Sequence, residues 1–320
     1  MSKTYYLDRS PLYRMRNRRK LAELLRLPTN YFSQPHEYEY SEFSKPKPKG
    51  DGVRHFTVPP EELKIIQKRI CQLLMRIETP NWVISGKKNC SYITNAQKHL
   101  DNIFVKTMDI SRFYDSVQRK YVYRMFQQTF KMSNDIAWLM TDLVTFKGAL
   151  PTGSPSSQLV VYWAFSDMFI DINDIANDRG CVFTLYVDDM TFSSTRPISR
   201  KLREDVAKLL KENGLKAKNK KDHYYQADTI KVITGVGIKN GEMLVLNNKR
   251  KRILDQYEKC KKYQNIHDIE KLKGMLYALR QIEPEIFPEI KAFTDHYDVE
   301  LKALARDRYY KNKRQIGVNN

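Results

Sequence analysis

Apolar residues recur along this chain with more than one spacing, and each spacing predicts a different element. In "PPEELKIIQKRICQLLMRI" (59–77), Leu63, Ile66, Ile70, Leu73 and Leu74 fall on one helical face behind a Pro and Glu start. Residues 118–131 and 135–146 also read as helical, and Pro155 and Ser156 open one long helix through residue 176. "NIFVKTMDI" (102–110) reads instead as a strand. "CVFTLY" and "MTFSS" read as two more strands, joined at Val187–Asp189 into a hairpin with adjacent aspartates at its tip. A helix is predicted over 197–212, ending at Gly214, followed by strands near 230–238 and 242–246. From 248 onward the chain reads as helical and lysine-rich. "SKPKPKGDG" (44–52) has no period and reads as a mobile basic loop. No internal repeat is evident. Strand, helices, hairpin, helix and strand, with an α-rich arm on each side, predict an α+β fold whose sheet is covered on one face.

Charge narrows the range of partners. The chain has 320 residues, 56 Lys+Arg against 37 Asp+Glu, and a formal charge of +19. Such a balance favours a polyanion, either nucleic acid or an acidic membrane surface. The longest clear apolar run, "LVVYWAF" (159–165), is too short to span a bilayer, so no membrane partner is expected. The start, "MSKTYYLDRSPLYRMRNRRK", lacks an apolar stretch of the signal-peptide kind. Cys71, Cys90, Cys181 and Cys260 lie far apart without a C-x-x-C pair, which suits a reducing cytoplasm and gives no zinc site. Twenty Tyr and fourteen Phe could stack on bases or fill the core.

Three carboxylates carry the candidate chemistry. Asp109 closes the 102–110 strand, and Asp188 and Asp189 sit at the hairpin tip. If those strands are neighbours, the three acids converge and repel one another in a partly dehydrated site. Two Mg²⁺ ions, hard cations that prefer oxygen ligands, would relieve that repulsion. Such a pair, about 3.5–4 Å apart, activates an attacking hydroxyl and stabilises the leaving oxygen of a phosphoryl transfer. The competing reading is structural: Asp-Asp as a solvated turn, and Asp109 as a strand end or helix cap.

The words around these acids decide between the two. "DISRFYDSV" (109–117), "LPTGSPSSQ" (150–158), "YVDD" (186–189) and "GLKAKNKKD" (214–222) resemble, in order, palm motifs A, B, C and D of reverse transcriptases. "PKGDGVRHFTVPPEELKIIQ" resembles that family's fingers segment and "VITGVGI" its primer-grip region. Within the family, "NAQKH" (95–99) and "ITG" (233–235) are similar to words of retron enzymes. The resemblance implies a right-hand polymerase with fingers, a ferredoxin-like antiparallel palm and a short helical thumb. Its divisions would be a basic helical extension (1–43), fingers (44–108), palm (109–247, with part of the fingers around 118–150) and thumb (248–320). It implies an RNA-directed DNA polymerase using two Mg²⁺ ions and dNTPs. It further implies a structured non-coding RNA of msr–msd type as template and primer, with synthesis from a 2′-hydroxyl of an internal guanosine. The branched RNA–DNA product (msDNA), an antiphage role and a separately encoded effector protein belong to the same expectation. The stretch beyond the primer grip is expected to hold a short thumb, with no room for a maturase, endonuclease or effector domain.

Residue roles come with the same resemblance. Asp109, Asp188 and Asp189 would hold the metals, with the main-chain carbonyl of Ile110 as a further ligand. Tyr114 would stand against the incoming sugar and exclude a 2′-hydroxyl, while Phe113 packs in the core. Arg54 would clamp the triphosphate, helped by Lys49. Thr152 and Gly153 would lie where the nucleotide rests, although Thr152 departs from the glutamine of retroviral enzymes. Lys221 aligns with the lysine that protonates pyrophosphate, and adjacent Lys220 leaves the register open. Val187 and Asp222 replace the usual Ala and Thr. Asn95 and His99 would share a helical face, either recognising template RNA or forming a structural pair. Lys249, Arg250, Lys251 and Arg252 would track phosphates. Arg14, Arg16, Arg18, Arg19 and Lys20 form a second basic set, and "RDRYYKNKR" (306–314) a third. The rivals are another small bacterial reverse transcriptase, a non-catalytic RNA scaffold and a membrane-surface binder.

Overall fold

Leu63, Ile66, Ile70, Leu73 and Leu74 line the buried side of a helix spanning Glu61–Leu74, with Pro60 as its N-cap and two glutamates in its first turn. That is where the apolar period placed it, and the acidic start complements the helix dipole. The computed structural model describes residues 4–46, 52–218 and 222–317, with side chains described to residue 311. Its helices are α1 (Arg18–Leu25), α2 (Glu61–Leu74), α3 (Tyr92–Gln97), α4 (Phe113–Ser116), α5 (Arg119–Arg124), α6 (Asn134–Val144), α7 (Ser157–Ala164), α8 (Ser166–Asn177), α9 (Arg200–Glu212), α10 (Asn247–Tyr263), α11 (Ile266–Arg280), α12 (Pro288–His296) and α13 (Asp298–Gly317). Its strands are β1 (Ser41–Pro46), β2 (Val53–Val58), β3 (Phe104–Asp109), β4 (Val182–Tyr186), β5 (Asp189–Ser194), β6 (His223–Tyr225), β7 (Lys231–Ile233), β8 (Val236–Lys239) and β9 (Glu242–Leu244). The architecture is α+β.

The chain forms two compact units, Met1–Ala227 and Asp228–Asn320. The first is built on a four-stranded antiparallel sheet in the order β4-β5-β3-β6. One continuous core runs through it, from Leu12 and Leu21 near the N-terminus through Phe126, Phe130 and Phe169 to Val206 and Leu215. Its strands alternate as the pleat demands: Met108, Met190 and Phe192 are buried on one face, Val105 and Asp109 on the other. The second unit holds the β7-β8-β9 sheet and helices α10–α13, packed on Ile238, Ile253, Ile269 and Leu272. The β7–β9 sheet, which the resemblance allots to the palm, thus folds inside the second unit.

Several expected elements differ in detail. The stretch 44–52 is not wholly loop: residues 44–46 belong to β1, which pairs with β2 from Ser41↔Val58 to Pro46↔Val53. The expected helix from 155 to 176 is two helices, broken at Phe165. The helix over 118–131 changes to a π-helical turn at Met125–Thr129. The strand near 230–238 is a hairpin turning at Thr234 and Gly235, both with positive φ.

Candidate active site

Antiparallel register does the assembling. In the β3–β5 pairing Asp109 lies directly opposite Asp189, and Met108 opposite Met190. Strand β4 pairs with β5 from Val182↔Ser193 to Tyr186↔Asp189, leaving Val187 and Asp188 as the turn. Carboxylate oxygens of Asp109, Asp188 and Asp189 therefore lie within 4.8 Å of one another. Val187 adopts φ 58°, a left-handed conformation costly for a β-branched residue. Its amide donates to Ser85 Oγ at 2.9 Å, and the segment before Ser85 runs beside β4 through Ile84 N–H to Leu185 O (3.0 Å) and Leu185 N–H to Trp82 O (2.8 Å). The turn carrying Asp188 is thus held from outside the sheet, by residues that the motifs did not mark.

Electrostatics at this point favour a cation. Burial, then a hydrogen bond and repulsion from Asp109 and repulsion from Asp189, push the Asp188 carboxyl up to about 7. Asp109 is 2% exposed. Its charge is met by Lys218, whose Nζ lies 3.2 Å from Oδ2 while its amide donates to the Asp109 carbonyl at 2.8 Å. Three hard oxygen donors at this spacing suit Mg²⁺. Ile110 comes next in the chain, buried, its amide donating to Asp188 O at 3.3 Å. Lys218 is a residue sequence reasoning missed, since four lysines crowd "GLKAKNKKD" and spacing alone does not single one out.

Tyr114 and Arg54 stand around this cluster. Burial and the nearby Asp188 charge push the Tyr114 hydroxyl up to about 12, while Arg54 pulls the other way. Tyr114 is therefore within electrostatic reach of both. Phe113 is buried in the core, as expected. Arg54 is exposed, its guanidinium 5.4 Å from the Phe56 ring centroid. The 150–153 segment docks on the same strand. Thr152 Oγ1 accepts from Thr57 N–H (2.9 Å), and Gly153 N–H donates to Thr57 O (2.9 Å). A Cβ on Gly153 would sit 2.8 Å from Val58 Cγ2, so glycine is required by this approach. Lys49, Lys220 and Lys221 lie outside the described residues.

Asn95 and His99 are fully buried. His99 spans two strands, with Nδ1 2.6 Å from Ser193 Oγ and Nε2 2.7 Å from Thr184 Oγ1. Desolvation drives its pKa down to about 3, so the ring is neutral. Neither side chain reaches solvent, and the partners of His99 are hydroxyls of the sheet. Asp222 also gains an account: it pairs with Lys106 on β3 and accepts from Arg203 Nε of α9 at 2.7 Å, tying β6 to both. In the second unit, Lys251 and Arg252 are exposed on α10 and Lys249 is half-buried. Arg250, partly exposed, donates to Val245 O (3.1 Å) and Glu283 Oε1 (2.6 Å).

Among the described residues no helix is long and apolar enough to cross a membrane. Residues 45–238 match the family model described as reverse transcriptase (RNA-dependent DNA polymerase). The chain is 25% identical over 303 residues to the retron Se72 reverse transcriptase of Salmonella heidelberg, covering 86% of this chain and 78% of that one. It is 26% identical over 210 residues to the retron Ec86 reverse transcriptase of Escherichia coli, covering 64% and 65%. Among solved structures it is similar to a foamy viral protease–reverse transcriptase in complex with double-stranded DNA. That likeness has 17% identity and a TM-score of 0.44, and covers 75% of this chain and 36% of the viral one.

Proposed function

The chain belongs to the reverse transcriptase (RNA-dependent DNA polymerase) family, and from that premise we propose that it is a retron-type enzyme copying a dedicated structured RNA into DNA. RNA-directed DNA polymerisation is the family's activity, and nucleic acid is its partner. The observation that carries the finer reading is the convergence of Asp109, Asp188 and Asp189 inside the matched segment. Similarity to two proteins named retron reverse transcriptases supports the retron assignment.

Asp109, Asp188 and Asp189, with the Ile110 carbonyl, would hold two Mg²⁺ ions, which when bound activate the attacking hydroxyl and neutralise the departing pyrophosphate. Tyr114 faces the sugar of the incoming dNTP and discriminates against a 2′-hydroxyl. Arg54, exposed on β2, grips the triphosphate through its planar fork. Lys221, or Lys220 beside it, supplies the proton that pyrophosphate takes as it leaves. Thr152 and Gly153 hold the 150–153 loop against β2, so that the Arg54 strand and the nucleotide's resting place move as one piece. Fingers over 44–108, palm over 109–247 and thumb from 248 keep the family's order. Lys249, Lys251 and Arg252 would track the duplex backbone.

In this reading an msr–msd type RNA serves as both template and primer, and a 2′-hydroxyl of that RNA starts the DNA strand. The product is a branched RNA–DNA molecule that works with a separate effector protein in cytoplasmic antiphage defence. The test is primer extension with the cognate RNA, Mg²⁺ and dNTPs. The expected product is DNA joined by a 2′ linkage to one internal guanosine, absent with Asp188→Asn/Asp189→Asn. Normal synthesis by that variant would refute the site; a linear product would refute the retron assignment.

A further inference from the structure

The first unit carries a concave surface whose lining includes none of the three aspartates. Helix α2 ends at Leu74, and the chain turns back so that Tyr5 N–H bonds Arg76 O (3.0 Å) and Glu78 N–H bonds Tyr5 O (2.9 Å). These bonds lock the N-terminal segment beside 76–78. The resulting cavity has a volume of about 620 Å³, inside the range that small-molecule sites span. Arg69, Arg76, Lys87 and Lys88 line it, against one carboxylate, Glu78.

These cations are positioned. Arg69 Nε donates to Leu24 O at 2.9 Å, which fixes the plane of its guanidinium. Arg76 lies over the Tyr5 ring, 5.1 Å from the centroid. Lys87 Nζ is held by the carbonyls of Thr79 (3.0 Å) and Pro80 (2.6 Å). Glu78 accepts from Thr4 Oγ1 at 3.2 Å. Burial, then the positive charges of Arg26 and Arg76, holds the Arg69 guanidinium below its ordinary range. Four cations gathered around one carboxylate give the cavity a positive potential, and phosphate oxygens are its natural complement.

We infer that this cavity binds a phosphorylated nucleotide, either free or at the end of an RNA strand. The planar guanidiniums of Arg69 and Arg76 supply forked donors for phosphate oxygens, and Lys87 and Lys88 add point charges at the rim. The loop carrying Thr79, Asn81, Lys87 and Lys88 also contains Ser85, which holds the amide of Val187 beside Asp188. An occupied cavity therefore stiffens the support of the catalytic turn. The site stands apart from the polymerase reading and does not depend on it.

The test is calorimetric titration of the full chain in EDTA with GTP, with a short 5′-phosphorylated oligoribonucleotide, and with its 5′-hydroxyl counterpart. Binding is expected for at least one of the first two, weakened at least tenfold by Arg76→Gln/Lys88→Gln. The charge-matched variant Lys201→Gln/Lys208→Gln on α9 retains full affinity, and circular dichroism melts show that both variants fold. GTP binding alone assigns the site to a free nucleotide; preference for the 5′-phosphorylated strand assigns it to an RNA end. Either upholds the inference. Equal affinity in wild type and Arg76→Gln/Lys88→Gln would overturn it, as would loss of binding in Arg54→Gln, which would place the nucleotide at the polymerase site.

Discussion

Replacing Asp188 by Asn should make the metal-free protein more stable while abolishing synthesis. In the folded state the Asp188 carboxyl is raised from 3.8 to about 7 by burial and by its two acidic neighbours. At about 1.4 kcal/mol per pH unit, that rise means that ionising Asp188 costs the fold up to about 4 kcal/mol. The folded value lies above the unfolded one. The stabilisation is therefore fully present below about pH 4 and is lost as pH rises through 7. An amide at this position carries no charge at any pH and escapes that loss. In urea melts with EDTA at pH 8, Asp188→Asn should exceed wild type by about 1–4 kcal/mol, the lower end allowing for the counter-charge of Lys218. At about pH 4.5 the two should converge. Adding Mg²⁺ at pH 8 should raise wild type by mass action and leave the variant nearly unmoved, reversing their order. A variant equally destabilised at both pH values, with or without EDTA, would refute the reasoning.

Three further outcomes rest on the same geometry. Lys218→Met removes the ammonium beside Asp109, so metal-free stability at pH 8 should fall by about 1 kcal/mol while Mn²⁺ binds more tightly, read by spin-resonance titration. His99 is neutral in the fold with a pKa near 3, below its unfolded value of 6.5; stability present above pH 6.5 should therefore decline on acidification by up to about 1.4 kcal/mol per pH unit. His99→Gln should lose that component, seen as a flatter difference curve in melts between about pH 6.5 and 4. Asp222→Ala leaves Lys106 and Arg203 facing each other and should cost about 3–5 kcal/mol; adding Lys106→Met should recover part of it, measured as a double-mutant cycle.

What the sequence revealed and what it hid have distinct physical reasons. The hairpin with its aspartates was legible because period-2 patterning fixes which residues face one another once the turn is located. The α2 face was legible for the same kind of reason, local periodicity. The break at Phe165 was hidden because α7 and α8 are both apolar on their buried faces, and no Pro or Gly marks the join. Strand β1 was hidden because its residues are all exposed and pair only with β2. Long-range polar partners were the hardest to foresee. Ser85 to Val187, Thr57 to Thr152, and His99 to Thr184 and Ser193 are each set by tertiary packing and leave no local signature. Asn95 and His99 show the limit most clearly: helical spacing said that they share a face, and only the fold decides whether that face is wet.

The proposed mechanism requires Asp109, Asp188 and Asp189 to act together as ligands for divalent ions. Crystals grown with Mn²⁺, a dNTP and a primer–template should show two anomalous-scattering peaks within ligand distance of these carboxylates. Peaks absent from this site, or bound elsewhere while the enzyme still extends its primer, would contradict that assignment.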